Sequence, residues 1–188
     1  MHPRRLRNSI GIGATLIAAP LALRALAQST FTPFCPGTAS ACPCGNAPPL
    51  ADTGCMNSFG QGGRLVGTGN AQVTADTVRL NASGLPTTAT IIFFQGDTQV
   101  NGGSGAVFGD GLRCVDGPMT WRLGVRAALG GTVSLGHGIP GDPVISIRGG
   151  IPAAGGTMHY QGWYRNAAAY CTPDGFNLTN AIGVTWVP

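Results

Sequence analysis

A seven-residue run at 159–165, HYQGWYR, carries the side chains best suited to binding chemistry. Side chains alternate between the two faces of a β-strand, so one face would hold His159, Gln161, Trp163 and Arg165. An aromatic ring with a few polar groups around it is a common lining for an organic ligand, and a sugar ring can stack on it. The run therefore predicts a carbohydrate-binding surface around Trp163. Since the opposite face offers only Tyr160 and Tyr164, packing of Trp163 in the core is the alternative interpretation.

A second candidate site consists of oxygen-bearing side chains in glycine-rich loops, namely Asp97, Asn101, Asp110 and Asp116. Carboxylate and backbone oxygens are the ligands that Ca²⁺ prefers. No EF-hand loop is present, and Asp also accepts hydrogen bonds from backbone N–H groups in ordinary turns. A structural calcium ion and plain turn chemistry are therefore both open interpretations of these residues.

The residues needed for enzyme catalysis are scarce. The sequence has no Lys and no Glu, which excludes a Lys Schiff base, a P-loop lysine and an HExxH zinc site. Ser104 lies in GGSGA, which lacks the last glycine of a nucleophile elbow. We expect a protein that is not an enzyme. The alternative is a small secreted hydrolase that uses Asp with His137 or His159.

The first 27 residues have the pattern of an export signal. Four of the 11 basic residues lie there without any acidic residue, followed by an apolar run at 9–23 and the cleavage pattern Ala25-Leu26-Ala27. The pattern predicts a signal peptide over 1–27 and a secreted or cell-surface protein. The other 161 residues carry seven Arg and seven Asp, so we expect no nucleic-acid partner. They contain no apolar run of transmembrane length.

Six cysteines follow the leader: Cys35, Cys42, Cys44, Cys55, Cys114 and Cys171. An even number in an exported chain favours disulfides. Four lie within 21 residues and would hold together a Pro/Gly-rich, irregular segment over 28–62. The distant pair Cys114–Cys171 is the favoured bond, although six cysteines allow 15 pairings. A zinc site on the first four is the alternative, but their spacing lacks the usual C-x₂-C knuckle.

The segment 63–188 alternates short β-type runs with turn residues. This spacing predicts an antiparallel β-sandwich, without distinguishing a jelly roll from an immunoglobulin-like fold. The run Ile91–Phe94 is apolar on both faces, which is typical of a central strand. The run DPVISIRG at 142–149 is predicted to be a strand, and 166–170 is the only helix-like stretch.

Several motifs resemble an uncharacterised secreted or cell-surface β-rich domain family of environmental Gram-negative bacteria. They are CPCGN (42–46), GCxNS (54–58), FFQGxTQVNGG (93–103), FGDGLRC (108–114), YQGWYRNAAAYCT (160–172) and FNLTN (176–180). The resemblance implies an extracellular β domain and brings no activity with it. We expect a non-enzymatic structural or adhesion module, with carbohydrate binding as the alternative function. Extracellular polysaccharide, a surface protein or a second copy of the chain are the expected partners.

Overall fold

The computed structural model describes residues 30–188, which form two main antiparallel sheets. The larger sheet has five strands, in the order β1 (Thr30–Phe34), β12 (Phe176–Trp186), β11 (Gly156–Arg165), β4 (Thr90–Gly96) and β9 (Trp121–Ala127). The smaller sheet has the order β10 (Val133–Gly136), β3 (Arg79–Ser83) and β2 (Arg64–Thr68). The predicted all-β, sandwich-like class is confirmed. The predicted signal peptide and its cleavage site after Ala27 lie outside the described residues.

Shorter elements lie between the sheet strands. Two small ladders pair β5 (Thr98–Gln99) with β8 (Val115–Asp116) and β6 (Ala106–Phe108) with β7 (Gly111–Arg113). The helical turns are α1 (Ile145–Arg148) and two 3₁₀ turns, Val73–Ala75 and Val100–Gly103. In the described part of the chain, no helix has the length and apolar character needed to cross a membrane.

The main core lies between the inner faces of the two sheets. Buried residues of the larger sheet, including Tyr160 and Tyr164, pack against buried residues of the smaller sheet such as Leu65 and Leu80. Burial raises the pKa of both tyrosines. The Tyr160 hydroxyl accepts a hydrogen bond from Trp186 Nε1 at 2.9 Å, so this buried pair of polar atoms is satisfied. The inner face of β11 is thus the tyrosine face.

A second, smaller apolar cluster lies on the outer face of the larger sheet. It contains Leu112, Val115 and Ala181 together with four cysteines, namely Cys35, Cys42, Cys55 and Cys114. This cluster covers only one end of the outer face. The other end, around Trp163, is left partly open.

One local prediction from the sequence is confirmed, since the run Ile91–Phe94 lies in β4, an interior strand between β11 and β9.

The Gly130-Gly131 pair forms a tight turn in which both glycines have positive φ and Leu129 bridges to Thr132. Two consecutive residues with positive φ match a type I′ turn, which favours glycine because it lacks a Cβ.

Three local predictions from the sequence are wrong. Residues 145–148 form α1 and not a strand, because Asp76 Oδ2 accepts a hydrogen bond of 2.6 Å from the Ser146 amide at the first turn. Residues 166–170 form turns, with Ala169 at φ 55°. Residues 30–34 of the predicted irregular segment form β1, an edge strand whose Pro33 is tolerated because the edge needs fewer donors.

All six cysteines are in disulfides, as predicted, but the favoured Cys114–Cys171 bond is wrong. The bonds are Cys35–Cys114, Cys42–Cys55 and Cys44–Cys171. The physical reason is that the N-terminal segment lies between the two distant cysteines: Cys114 lies near the end of β1, and Cys171 lies in the β11–β12 loop. Two of the bonds therefore tie the segment to the sandwich, and only one closes within it.

The outer edge of β9 is occupied by arginine side chains. The Ala128 amide, just beyond β9, donates towards the β4 side, so the backbone groups of Val125 and Ala127 face the free edge. Leu123 is the extra residue of a β-bulge, where the register with β4 shifts between Phe93 and Phe94. The Leu123 carbonyl accepts a hydrogen bond from Arg148 Nε at 2.7 Å. The Val125 carbonyl accepts one from Arg126 Nη1 at 2.8 Å.

Candidate functional site

The candidate site is an open groove on the outer face of the larger sheet, centred on Trp163. Trp163 pairs with Ile92 of β4 on one side and with Leu178 of β12 on the other. One pleat further along β4, Phe94 pairs with Arg122 of β9. These cross-strand neighbours form a floor that is mostly apolar, with Trp163 half-buried at its centre.

The groove encloses a cavity of about 310 Å³. Its lining is Ile92, Phe94, Phe108, Arg113, Thr120, Arg122, Trp163 and Leu178. The volume is near the lower limit of about 300 Å³ for small-ligand pockets. The floor is aromatic and aliphatic, and two guanidinium groups and one hydroxyl stand around it. Such a lining suits a ligand that has an apolar face and polar substituents.

Aromatic contacts hold the Trp163 ring in place. Its centroid lies 5.1 Å from that of Phe176, with the ring planes tilted by 42°. Phe176 in turn contacts Phe108, with centroids 4.8 Å apart. Arg165 Cζ lies 5.1 Å from the centroid of the Trp163 ring, in cation–π range. The ring is therefore oriented before any ligand arrives, which lowers the entropic cost of binding.

The β6–β7 hairpin forms one wall of the groove, and a buried carboxylate anchors it. Asp110 is fully buried in the turn of this hairpin. Its Oδ1 accepts hydrogen bonds from the Thr172 amide at 2.8 Å and from Thr172 Oγ1 at 2.9 Å, and its Oδ2 accepts one from Asn166 Nδ2 at 2.6 Å. Gly109 has φ 60°, and a Cβ there would collide with the Phe176 ring. The local sequence thus fixes the wall against β12 and the β11–β12 loop.

Arg113 lies at the end of this wall with its guanidinium held in place. Its Nη2 donates to Asp116 Oδ1 at 2.6 Å, and its Nε donates to the Val115 carbonyl at 3.3 Å. The side chain is still 39% exposed. A guanidinium has five N–H donors, so Arg113 keeps donors that Asp116 and Val115 do not use.

The four residues predicted to share one face do so, but the structure divides them into two pairs. Trp163 and Arg165 lie in or beside the groove, whereas His159 and Gln161 are covered. Gln161 is fully buried and makes structural hydrogen bonds: its Oε1 accepts from the Cys114 amide at 2.9 Å, and its Nε2 donates to the Thr179 carbonyl at 2.8 Å. His159 and Gln161 are therefore not on the ligand-accessible part of the face.

His159 is 9% exposed and packs edge-on against Phe34, with ring centroids 5.4 Å apart. Its buried Nδ1 has no hydrogen-bond partner among residues 30–188. Desolvation lowers the pKa of His159, against the opposing effect of the Asp97 charge. The imidazole is thus held neutral in an apolar environment at neutral pH.

The other histidine considered for catalysis, His137, follows β10 in the smaller sheet. Its amide donates to the Val78 carbonyl at 3.0 Å, and its own carbonyl accepts from Arg79 Nε at 3.0 Å. Both of these hydrogen bonds are made by the His137 backbone, and His137 is not among the residues that line the groove.

The predicted calcium ligands each have protein partners. Asp110 and Asp116 bind the donors described above, and Asn101 Nδ2 donates to the Gly105 carbonyl at 2.9 Å. Asp97 Oδ1 is 3.5 Å from the Met119 amide. Within residues 30–188, no cluster of three or more His, Cys, Asp or Glu side chains has a metal-binding arrangement.

Sequence reasoning missed most of the groove. Phe108 and Arg113 come from the β6–β7 hairpin, and Arg122 comes from β9. Strand pairing brings Arg122 to the groove, whereas packing of Phe108 on Phe176 brings the hairpin there. The alternation of β4 was the one available signal, since it places Ile92 and Phe94 on the face opposite the buried Ile91 and Phe93. Comparison with protein-family models, curated proteins and solved structures finds no match to this chain.

Proposed function

We propose that this chain is a non-enzymatic extracellular module that binds polysaccharide through the Trp163 groove. The observation that carries the proposal is the position of Trp163. The ring lies half-exposed on the outer face of the sheet, in a cavity with Phe94 and Phe108, while Tyr160 and Tyr164 fill the core. An oriented ring in an open groove is suited to stack on the apolar face of a sugar.

The cellular setting supports the proposal. Three disulfides are typical of proteins from oxidising compartments, and they are compatible with an extracellular location. The predicted signal peptide points to the same compartment. An open groove with rigid walls is also suited to a polymer, since a chain of sugars can enter and leave it at either end.

The placement of both histidines favours binding over hydrolysis. His159 is buried against Phe34, and the His137 backbone is engaged within the smaller sheet. Neither lines the groove. The groove contains no carboxylate among its lining residues, whereas a glycosidase needs a pair of carboxyl groups beside the scissile bond.

The test is a titration of the oxidised protein with a panel of bacterial and plant polysaccharides, following tryptophan fluorescence. We expect a saturable change that is lost in Trp163→Ala while circular dichroism stays unchanged. Trp121→Ala is the matched control, because Trp121 is 50% exposed on β9 but does not line the groove. We also expect no new reducing ends after prolonged incubation. A flat response across the panel, or unfolding of Trp163→Phe, would contradict the proposal and favour a protein-binding surface module.

A further inference from the structure

Of the two arginines that line the groove, Arg113 and Arg122, only Arg113 has an acidic partner within residues 30–188. Arg113 and Arg126 are paired with Asp116 and Asp142, respectively. The guanidinium groups of Arg79 and Arg148 donate to backbone carbonyls. In contrast, the exposed Arg122 guanidinium makes no ion pair and no hydrogen bond within residues 30–188, although it lines the groove.

An unpaired guanidinium at this position gives the groove a net positive charge. Arg113 is paired with Asp116, so Arg122 sets the charge balance of the lining residues, and Arg165 beside the Trp163 ring adds to the positive charge. The lining holds no acidic residue. Arginine remains protonated at any physiological pH and forms a planar fork of donors that matches a carboxylate.

Trp163 and Arg122 lie on the two strands that flank β4. Trp163 pairs with Ile92, and Arg122 pairs with Phe94. The two positions are therefore separated by about 7 Å along the strands and about 10 Å across the sheet, or about 12 Å between their backbones. A sugar ring that stacks on Trp163 and extends over β4 places its carboxylate between the Trp163 ring and the long Arg122 side chain.

We propose that the groove selects saccharides that carry a carboxylate, that is, uronic acid residues of acidic polysaccharides. Trp163 contacts the apolar face of the ring, and Arg122 pairs with the carboxylate. Arg113, held by Asp116, donates from the opposite wall to ring hydroxyl groups. This inference rests on the proposed function, since it names the class of polysaccharide that the same groove would take.

The experiment compares two polymers with the same sugar backbone, polygalacturonic acid and its fully methyl-esterified form, in which a neutral methyl ester replaces each carboxylate. Affinity is measured by calorimetry on the oxidised full chain at low and at physiological salt. We expect the acid to bind at least about tenfold more tightly than the ester, because a hydrogen bond to a charged group contributes more than a neutral one. Arg122→Gln should remove most of this preference, because it weakens binding of the acid far more than binding of the ester.

Arg64→Gln is the matched control, because it removes the same charge from an exposed position on β2 that does not line the groove. It should leave the preference for the acid intact. If both arginine variants lose the preference for the acid to the same extent, the polymer is attracted by the net charge of the protein, and the inference is overturned. Equal affinity for acid and ester in the unmodified protein would overturn it while leaving the proposed function in place. Failure of every saccharide to bind would contradict the proposed function and this inference together. If octanoate, which has no sugar ring, displaces the acid, the groove binds apolar carboxylates instead, and the inference is overturned.

Discussion

Removing the Cys44–Cys171 disulfide should cost more stability than removing Cys42–Cys55, and the difference follows from the loops that the bonds close. Cys42 and Cys55 are 13 residues apart. Cys44 and Cys171 are 127 residues apart, but the Cys35–Cys114 bond shortens the path between them. That path runs from Cys44 back to Cys35, across the bond, and on from Cys114 to Cys171, or about 66 residues by their positions in the chain.

In the chain-entropy model, a loop of about 66 residues corresponds to roughly 4 kcal/mol of stabilisation, and a loop of about 14 residues to roughly 3 kcal/mol. We therefore expect Cys44→Ala/Cys171→Ala to lose about 4 kcal/mol of the free energy of unfolding, and Cys42→Ala/Cys55→Ala about 3 kcal/mol. Because domains of this kind are stable by about 5–15 kcal/mol, either loss is a large fraction of the total.

Urea unfolding of both variants and the parent protein, monitored by circular dichroism, measures these losses. The pairing itself is tested by titrating free thiols in denaturant. The Cys44→Ala/Cys171→Ala variant should contain none, whereas a Cys114–Cys171 bond would leave two cysteines unpaired. A larger loss for the short loop, or a loss below about 1 kcal/mol for the long one, would refute the loop-entropy reasoning.

Two further predictions concern buried polar groups. Asp110→Ala leaves Thr172 and Asn166 without their acceptor, so it should destabilise the protein by about 3 kcal/mol in urea unfolding. The exposed Asp174→Ala is its control, and an equal effect of the two would refute the anchoring role. Because burial lowers the pKa of His159, the unfolded chain binds a proton that the folded protein does not. The free energy of unfolding is therefore not reduced by His159 above pH 6.5, the usual histidine pKa, and it falls as the pH drops below that value. Unfolding at pH 7 and pH 5 should show a smaller pH dependence in His159→Gln, and an unchanged dependence would contradict the prediction.

The sequence predicted elements well where local pattern and tertiary environment agree. The run Ile91–Phe94 is apolar on both faces because both faces of β4 are covered over part of its length. At 144–148 the same reasoning was wrong. A run this short fits a strand and a helical turn equally well. Asp76, which is distant in the sequence, stabilises the helical turn by accepting a hydrogen bond from the Ser146 amide.

The site was predictable only in part. Alternation correctly placed His159, Gln161 and Trp163 on one face, because it depends on the backbone of one strand. Which of them stays open depends on what covers the face, namely the segment 112–115 and Phe34. These segments are at least 44 residues away in the chain, so no local pattern contains the information. The same limit applies to the disulfides, whose pairing depends on which loops meet.

The arginine side chains on the edge of β9 bear on how copies of this chain meet each other. A strand from a second molecule would have to hydrogen-bond to the Leu123 and Val125 carbonyls, and these already accept from Arg148 and Arg126. The other edge strand, β1, contains Pro33, which has no N–H to offer an incoming strand. Both edge strands of the larger sheet, β1 and β9, thus disfavour the addition of a strand from a second molecule. Under the proposed function, many copies could bind side by side on one polysaccharide chain without joining into a fibre through their sheet edges.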